Sequence, residues 1–127
     1  MPPRFDGTTL ELLGRVREVE VETTSLDGER THRTVIWIVT AGDEVFIRSV
    51  RGAAGRWYRE ARQRPAIVVH AKGASIPASA VLANDLDSIQ RVSDAFTEKY
   101  GRRSPGSTAS MLRPHTLETT LRLEPAG

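Results

Sequence analysis

The chain has 127 residues, 39% hydrophobic and 27% charged, with a net charge of +2 and no cysteine. These values predict a single domain over residues 1–127 that buries roughly two-thirds of its unfolded surface. They argue against nucleic-acid binding and exclude disulfides and thiolate chemistry. No apolar run is long enough to span a membrane, and the N-terminus lacks the apolar core of a signal peptide, so we expect a cytoplasmic protein without membrane contact.

The N-terminal third predicts a short helix followed by a strand. Asp6 is a suitable N-cap for a helix ending at Leu13, and Gly14 suits its left-handed C-terminal position. The alternation from Arg17 to Glu22 is typical of a half-buried strand whose glutamates form a solvated face. Asp27-Gly28 then indicates a turn.

The next segment predicts a hairpin that leads into a helix. Residues 35–39 are apolar on both faces, which favours a central strand covered on both sides. After a turn at Gly42-Asp43, residues 44–50 should form its antiparallel neighbour. A helix beginning near Gly55 should end before Pro65, because proline disfavours helical geometry in the preceding residue.

Six arginines crowd the end of this segment against a single acid, Glu60. Together with a Gly-rich turn and a helix start, their guanidinium groups suit a phosphate-bearing or other anionic ligand. An exposed helix face is the alternative for the last four. The six are Arg48, Arg51, Arg56, Arg59, Arg62 and Arg64.

The second half of the chain predicts two strands, a long helix, a loop and a closing strand. The strands cover residues 67–70 and 76–82, with Pro77 near a sheet edge or a strand start. Asn84 should cap the long helix, which Gly101 stops. Residues 102–110 are expected to form a mobile polar loop, and residues 116–123 the closing strand. The face of the long helix that we expect to be buried carries Leu86, Ile89, Val92, Phe96 and Tyr100.

These elements predict an α+β, mainly β fold: a six-stranded antiparallel barrel with a short N-terminal helix, a helix after the third strand and a longer late helix. No motif for side-chain catalysis accompanies it. His32, His70 and His115 are scattered without metal-ligand spacing, and no GxSxG sequence marks a nucleophile. We therefore predict no metal site and assign no catalytic side chain.

Several of these features resemble the flavin-binding split β-barrel superfamily, which includes pyridoxamine phosphate oxidases and deazaflavin-dependent nitroreductase-like proteins. The chain looks closest to a small uncharacterised bacterial family within that group. The resemblance rests on the order and spacing of Arg33-Thr34-Val35, Ser49, Gly52, Trp57-Tyr58 and Pro65, and on the C-terminal sequence MLRPHTLETTLRLEP.

The resemblance implies a split barrel that forms a homodimer, with FMN or a deazaflavin held in a groove between two barrels. Arg33 would reach the phosphate or ribityl chain, Ser49, Arg51 and the Gly52 backbone would cradle the anion, and Arg48 and Trp57 would border the ring or phosphate end. The full set of implied cofactor-binding residues is Arg33, Thr34, Trp37, Arg48, Ser49, Arg51, Gly52, Arg56 and Trp57. Trp37 and Trp57 also suit a core or a dimer interface.

Two positions depart from the deazaflavin pattern: Thr31 stands where lysine is usual, and Glu60 where asparagine is common. Three functions remain open. The first is an oxidoreductase that transfers hydride to a small organic substrate, with the chemistry supplied by the cofactor. The second is a non-catalytic split barrel that binds a flavin or another anion, and the third is a structural dimer that has lost its cofactor.

Overall fold

The computed structural model describes residues 3–126. Within that range, the chain forms seven strands and five α-helices around a curled sheet. In chain order they are α1 (Gly7–Arg15), β1 (Val19–Thr24), β2 (Thr31–Ile36), β3 (Val39–Ala41), β4 (Glu44–Ile47), a 3₁₀ turn (Gly52–Ala54), α2 (Arg56–Gln63), β5 (Ala66–Ala71), β6 (Ala74–Leu82), α3 (Leu86–Tyr100), α4 (Pro105–Ser110), α5 (Pro114–Leu117) and β7 (Leu121–Pro125).

The strands form one antiparallel sheet in the order β2-β1-β5-β6-β7-β4-β3. Strands β2 and β3 are its two edges, yet only Trp37 and Ile38 separate them in sequence. Three Cα steps from Ile36 to Val39 can span at most about 11 Å. The two edges must therefore approach each other, and the sheet curls into a split barrel, which confirms the predicted α+β fold class.

The single central strand predicted over residues 35–39 is wrong. The segment divides into the end of β2 and the start of β3, which raises the strand count from six to seven. Val35 is 57% exposed on an edge strand, whereas Ile36 and Ile38 belong to the barrel core and Val39 packs under α3. A run of apolar residues predicts that a segment is buried. It does not predict that the chain passes from one edge of the sheet to the other within that segment.

The barrel interior is the main hydrophobic core. It is filled from several strands, and α1 and α2 add Leu13, Trp57 and Ala61 to it. The strand residues of this core include Val19, Val21, Val45, Ile47, Ile67, Val69, Ala80, Leu121 and Leu123. Such interdigitated packing fixes the elements that surround the site.

A second hydrophobic layer lies between α3 and the β3–β4 hairpin, where Val92, Phe96 and Tyr100 pack as predicted. The predicted start of α3 is wrong by one residue, because Asp85 is the N-cap and accepts the Ser88 N–H at 3.1 Å. Leu86, predicted to be buried, is 86% exposed, because it lies on the first turn before the helix meets the sheet.

Helix α1 has the predicted N-cap but a different end. Asp6 accepts the Thr9 N–H at 2.8 Å, and this bond lowers the pKa of the Asp6 carboxyl. The helix continues to Arg15, so Gly14 is not its C-terminal stop. A Cβ at Gly14 would lie 3.2 Å from the Thr40 hydroxyl, which indicates that this glycine allows close packing on β3.

Two C-terminal predictions are also wrong. Helix α4 (Pro105–Ser110) occupies most of the segment predicted as a polar loop, and α5 (Pro114–Leu117) occupies the start of the predicted closing strand, which begins at Leu121. Both helices carry proline in their first turn, where its fixed φ favours a helix and its missing N–H costs nothing.

Two strand boundaries shift in ways that matter for the site, and Pro77 lies neither on an edge strand nor at a strand start, contrary to the prediction. β1 begins at Val19, two residues after the predicted start. β4 ends at Ile47, so residues 48–50 leave the ladder. β6 is an inner strand, and Pro77 lies just before the point where pairing with β7 begins at Ala78. Among residues 3–126, no helix has the length and apolar character needed to cross a membrane.

Candidate functional site

An open cavity of about 580 Å³ lies where the barrel is split. Its walls come from β2 and the β2–β3 connection, the segment after β4, the start of α2, and α4. The lining residues are Glu18, Thr34, Val35, Ile36, Trp37, Arg48, Ser49, Val50, Arg51, Gly55, Arg56, Trp57, Ser107, Ser110 and Met111. The volume is within the range of small-molecule binding sites.

The cavity brings together seven of the nine residues proposed from the sequence. These seven are Thr34, Trp37, Arg48, Ser49, Arg51, Arg56 and Trp57. Arg33 and Gly52 do not line it. Arg33 projects from β2 over the sheet, 3.6 Å from a Glu20 oxygen and 3.7 Å from a Glu22 oxygen, and its side chain is 52% exposed.

Arg48 is a buried cation whose partners are neutral oxygens. Its Nε donates to the Thr120 hydroxyl at 2.8 Å, and its terminal nitrogens donate to the carbonyls of Met111 at 3.2 Å and Ile89 at 2.9 Å. The guanidinium carbon lies 5.5 Å from the centre of the Phe96 ring. No carboxylate of residues 3–126 forms a salt bridge with it. Burial lowers the pKa of Arg48 to about 10, so it remains charged at neutral pH.

The turn after β4 is held by its own hydrogen bonds. The Ser49 N–H donates to the Thr119 hydroxyl at 2.9 Å, and the Ser49 hydroxyl donates to the Gly52 carbonyl at 2.8 Å. The Gly52 N–H donates to the Ser49 carbonyl at 2.9 Å. Gly52 has a φ of +71°, and a Cβ there would lie 2.8 Å from the His115 carbonyl oxygen. Gly52 is therefore required by packing against α5, and its N–H is already bonded.

Helix α2 begins at the cavity and has no side-chain cap. Its first-turn N–H groups lack intrahelical acceptors and form the positive end of the helix dipole. Arg56 donates to the Thr34 hydroxyl at 3.2 Å and lies 3.4 Å from a Glu60 oxygen. Arg51 is exposed at the rim, and no residue between 3 and 126 forms a salt bridge with it.

Glu60, the departure from the deazaflavin pattern, is buried but does not line the cavity. It accepts the Thr23 hydroxyl at 2.7 Å and lies 2.9 Å from His32 Nδ1. The carboxylate therefore links α2 to β1 and β2, with Arg56 as its contact on the cavity side. Among residues 3–126, no three His, Asp or Glu side chains lie close enough together to hold a metal ion.

Trp37 forms an aromatic wall of the cavity, and contacts with residues outside the cavity fix its position. Its ring stacks on Tyr100 with centroids 3.9 Å apart and planes 6° from parallel. The Tyr100 hydroxyl accepts the Ile38 N–H at 3.3 Å, and Lys99 donates to the carbonyls of Ile38 at 2.6 Å and Leu13 at 3.1 Å. Burial lowers the pKa of Lys99 to about 8. These contacts fix the β2–β3 connection and so the position of the indole.

Sequence analysis missed the α4 wall of the cavity, made by Ser107, Ser110 and Met111. The reason is that a Gly/Pro/Ser-rich segment was interpreted as a loop. Ser104 followed by Pro105 carried the opposite signal, because Ser is a common N-cap and Pro a common first helical residue. Glu18, which also lines the cavity, was interpreted only as part of a solvated strand face.

Three comparisons with known proteins bear on this site. Residues 9–123 match the bacterial family DUF2255, described as "Uncharacterized protein conserved in bacteria". None of the curated proteins matches the chain.

Solved structures of similar fold include an F420-H2-dependent reductase with 14% identity and a TM-score of 0.66, which covers 85% of this chain and 94% of its own. A candidate pyridoxamine 5′-phosphate oxidase from Listeria innocua has 15% identity and a TM-score of 0.60, covering 91% and 87%. A structure described as a domain-swapped dimer has 14% identity and a TM-score of 0.65, covering 87% and 81%. At these identities the likeness concerns the fold alone, and it confirms the predicted split-barrel fold.

Proposed function

The chain belongs to the bacterial family DUF2255, and from this premise and its fold we propose that the cavity binds a phosphate-bearing flavin, FMN or a deazaflavin. We further propose that the protein is an oxidoreductase that transfers hydride to a small organic substrate. Relatives of the same fold at low identity include an F420-H2-dependent reductase and a candidate pyridoxamine 5′-phosphate oxidase. Their activities are theirs, and the case for this chain rests on its own cavity.

The observation that carries the proposal is the buried guanidinium of Arg48. Taking a cation out of water is costly unless opposite charge or hydrogen bonds replace the solvent. Here two carbonyls and a hydroxyl account for three of the five N–H bonds of the guanidinium, and no carboxylate in the described part of the chain is paired with it. Because Arg48 also lines an open cavity, its positive field favours an anion there.

The cavity rim fits the phosphate end of such a ligand. Arg51 and Arg56 supply guanidinium forks, which bind phosphate in bidentate geometry. The uncapped start of α2 adds backbone N–H groups next to Arg56. Arg33 and Gly52 lie outside the cavity, so we propose the remaining seven sequence-predicted residues as the binding set.

The opposite wall fits the ring. Trp37, Ile36 and Met111 are apolar or aromatic and would cover a flat ring while limiting its contact with water. A flavin or deazaflavin supplies the hydride chemistry when it is bound. The task of these side chains is to orient the ring, and that of the arginines is to hold its phosphate.

We also propose that the functional form is a homodimer in the cytoplasm. Val35 and Val50 border the cavity and are 57% and 50% exposed, an apolar rim that a second subunit would cover. A structure of the same fold is described as a domain-swapped dimer. Sedimentation equilibrium at tens of micromolar should give twice the subunit mass, and a monomer would contradict this proposal.

The alternative is a split barrel that binds another anion without catalysis. Glu18 is the only carboxylate among the described cavity-lining residues, and no lining side chain is a histidine. The cavity thus offers few groups for proton transfer, while its cations remain suited to binding. A barrel that has lost its ligand altogether is the third outcome that the experiment must distinguish.

The test is a visible absorption spectrum of the purified protein before and after incubation with FMN or a deazaflavin and desalting. We expect about one flavin per subunit. In the double variant Arg51→Gln with Arg56→Gln, the affinity should fall by at least about a hundredfold, since each lost charged hydrogen bond costs roughly 1.5–3 kcal/mol.

The matched control is Arg59→Gln with Arg62→Gln, which removes the same charge from exposed α2 positions outside the cavity and should retain the flavin. Equal loss in both double variants would mean that net charge, and not the cavity, determines binding. A protein that stays colourless after every addition would contradict the flavin proposal. Reduction by NADPH or reduced deazaflavin would then separate an enzyme from a binder among the loaded proteins.

A further inference from the structure

A hydroxyl, an imidazole and a carboxylate are hydrogen-bonded in series on the sheet, away from the cavity. Ser75 Oγ lies 3.0 Å from His70 Nδ1, and His70 Nε2 lies 2.7 Å from a Glu22 carboxylate oxygen. Ser75 stands directly opposite His70 in the β5–β6 hairpin, and Glu22 reaches the ring from β1. Three neighbouring strands therefore present one side chain each to the same point.

We propose that Ser75 is a nucleophile activated by His70, with Glu22 as the positioning residue, and that this site transfers acyl groups from small activated esters. A nucleophile bonded to a base that is oriented by a third group is the arrangement such chemistry requires. This activity is separate from the cavity, since none of the three side chains lines it.

The hydrogen bond to Glu22 selects the tautomer of His70 that the reaction needs. The bond to His70 is the main reason that the pKa of Glu22 is lowered, so this carboxylate is ionised at neutral pH. An ionised Glu22 accepts a hydrogen bond from Nε2–H, which leaves the lone pair of Nδ1 to accept a hydrogen bond from the Ser75 hydroxyl. The Ser75 side is exposed and open to a substrate, whereas His70 is half-buried behind it.

A shallow depression of about 310 Å³ adjoins Ser75. It is lined by Glu20, Arg33, His70 and the hairpin residues 71–75, including Lys72 and Gly73. Lys72, at its rim, would stabilise the negative charge that develops on the carbonyl oxygen of a bound ester. The size suits an acetyl or similar small acyl group.

The proposed step is balanced within the site. Ser75 Oγ attacks the ester carbonyl carbon and its proton moves to His70 Nδ1. The bond from carbon to the alcohol oxygen breaks, and the alcohol leaves with the proton from His70, so that the acyl group is bonded to Ser75. Water then attacks the acyl-serine with His70 again taking the proton, and the carboxylic acid leaves as the serine hydroxyl is restored.

The alternative is that Ser75 and His70 simply link two strands. A linking role would not make Ser75 more reactive than any other exposed serine. The two roles can be separated by labelling the protein with a fluorophosphonate and with an activated aryl acetate, followed by mass spectrometry of the intact protein and its peptides.

We expect a single fluorophosphonate adduct on Ser75, absent from Ser75→Ala and formed about a hundredfold or more slowly in His70→Gln. Ser79→Ala, on the same strand, is the matched control and should label normally. Intact circular dichroism in each variant separates a lost nucleophile from a lost fold. No adduct on Ser75, an adduct on Lys72 instead, or an unchanged rate in a folded His70→Gln variant would each overturn the proposal.

Discussion

The cavity and the sheet face around Glu22 differ in how their charged side chains are paired. Three arginines line the cavity, Arg48, Arg51 and Arg56, against one carboxylate, Glu18. Among the residues that the structure describes, Arg48 is buried without an acidic partner, and its positive charge is compensated by neutral oxygens and an aromatic ring. The cavity therefore has an uncompensated positive potential that favours an anionic ligand.

On the sheet face each carboxylate lies next to a basic side chain. Glu22 lies 2.7 Å from His70 and 3.7 Å from Arg33, and Arg33 lies 3.6 Å from Glu20. The resemblance implied a cofactor-binding role for both Arg33 and Arg48. The comparison teaches that the kind of partner matters: an arginine paired with carboxylates has little charge left for a ligand.

The largest effect that we expect within this comparison comes from Arg48→Ala. The variant leaves two carbonyls and a hydroxyl without their donor and opens a cavity in the core, so the free energy of unfolding should fall by about 3 kcal/mol or more. Urea denaturation measures it. Arg33→Ala, which removes only exposed ion pairs, should cost less than about 1 kcal/mol. Equal losses in the two variants would contradict the contrast between the regions.

An intermediate effect is expected from one glycine in each region. Gly52→Ala places a Cβ at a φ of +71° and 2.8 Å from the His115 carbonyl oxygen, and it should lower the free energy of unfolding by about 2–3 kcal/mol. Gly73→Ala has a φ of +80° but nothing within 4 Å, and it should lose only about 1 kcal/mol. Thermal or urea unfolding of the two variants measures each loss in the free energy of unfolding. The difference between the two losses is the cost of the steric contact with His115. The same loss in both would mean that His115 moves away freely.

The smallest effect concerns Glu22→Gln, which should reduce the free energy of unfolding at pH 7 by about 1 kcal/mol or less. The folded-state pKa of Glu22 is lowered from its ordinary value of 4.5, chiefly by the bond to His70. The stabilisation is thus fully present above about pH 4.5 and is lost as the pH falls through the lowered folded-state value. Urea unfolding of both proteins at pH 7 and at pH 3 should show the difference shrinking. A difference that persists at pH 3 would indicate lost packing and not lost charge.

The sequence predicted correctly those features that depend on residues close together in the chain. The Asp6 cap, the turns at Gly28 and Gly42 and helix α2 before Pro65 each rest on contacts within a few positions, and the structure confirms them. The predicted elements suggested a small barrel, and the resemblance specified a split barrel.

Long-range features were beyond that reasoning. The partners of Arg48 lie 41 to 72 positions away, so no local pattern shows that its side chain is buried on carbonyls. The same holds for His70 and Glu22, which are 48 positions apart and were interpreted separately. For residues 35–39, the sequence predicted burial, but it did not predict that the chain leaves β2 at one edge of the sheet and enters β3 at the other. Seven of the nine site residues still meet in one cavity, because most of them come from two adjacent segments of the chain.

The wall of the cavity also gives the protein a built-in optical signal. The chain has two tryptophans, Trp37 and Trp57, and both line the cavity. Selective excitation of indole therefore produces emission from this one place. A flavin that enters the cavity would quench the tryptophan emission by energy transfer. A colourless anion bound to the arginines would shift the emission wavelength by changing the local electric field. Acylation at Ser75, which does not line the cavity, should leave the emission unchanged, so a change in emission reports on the cavity alone.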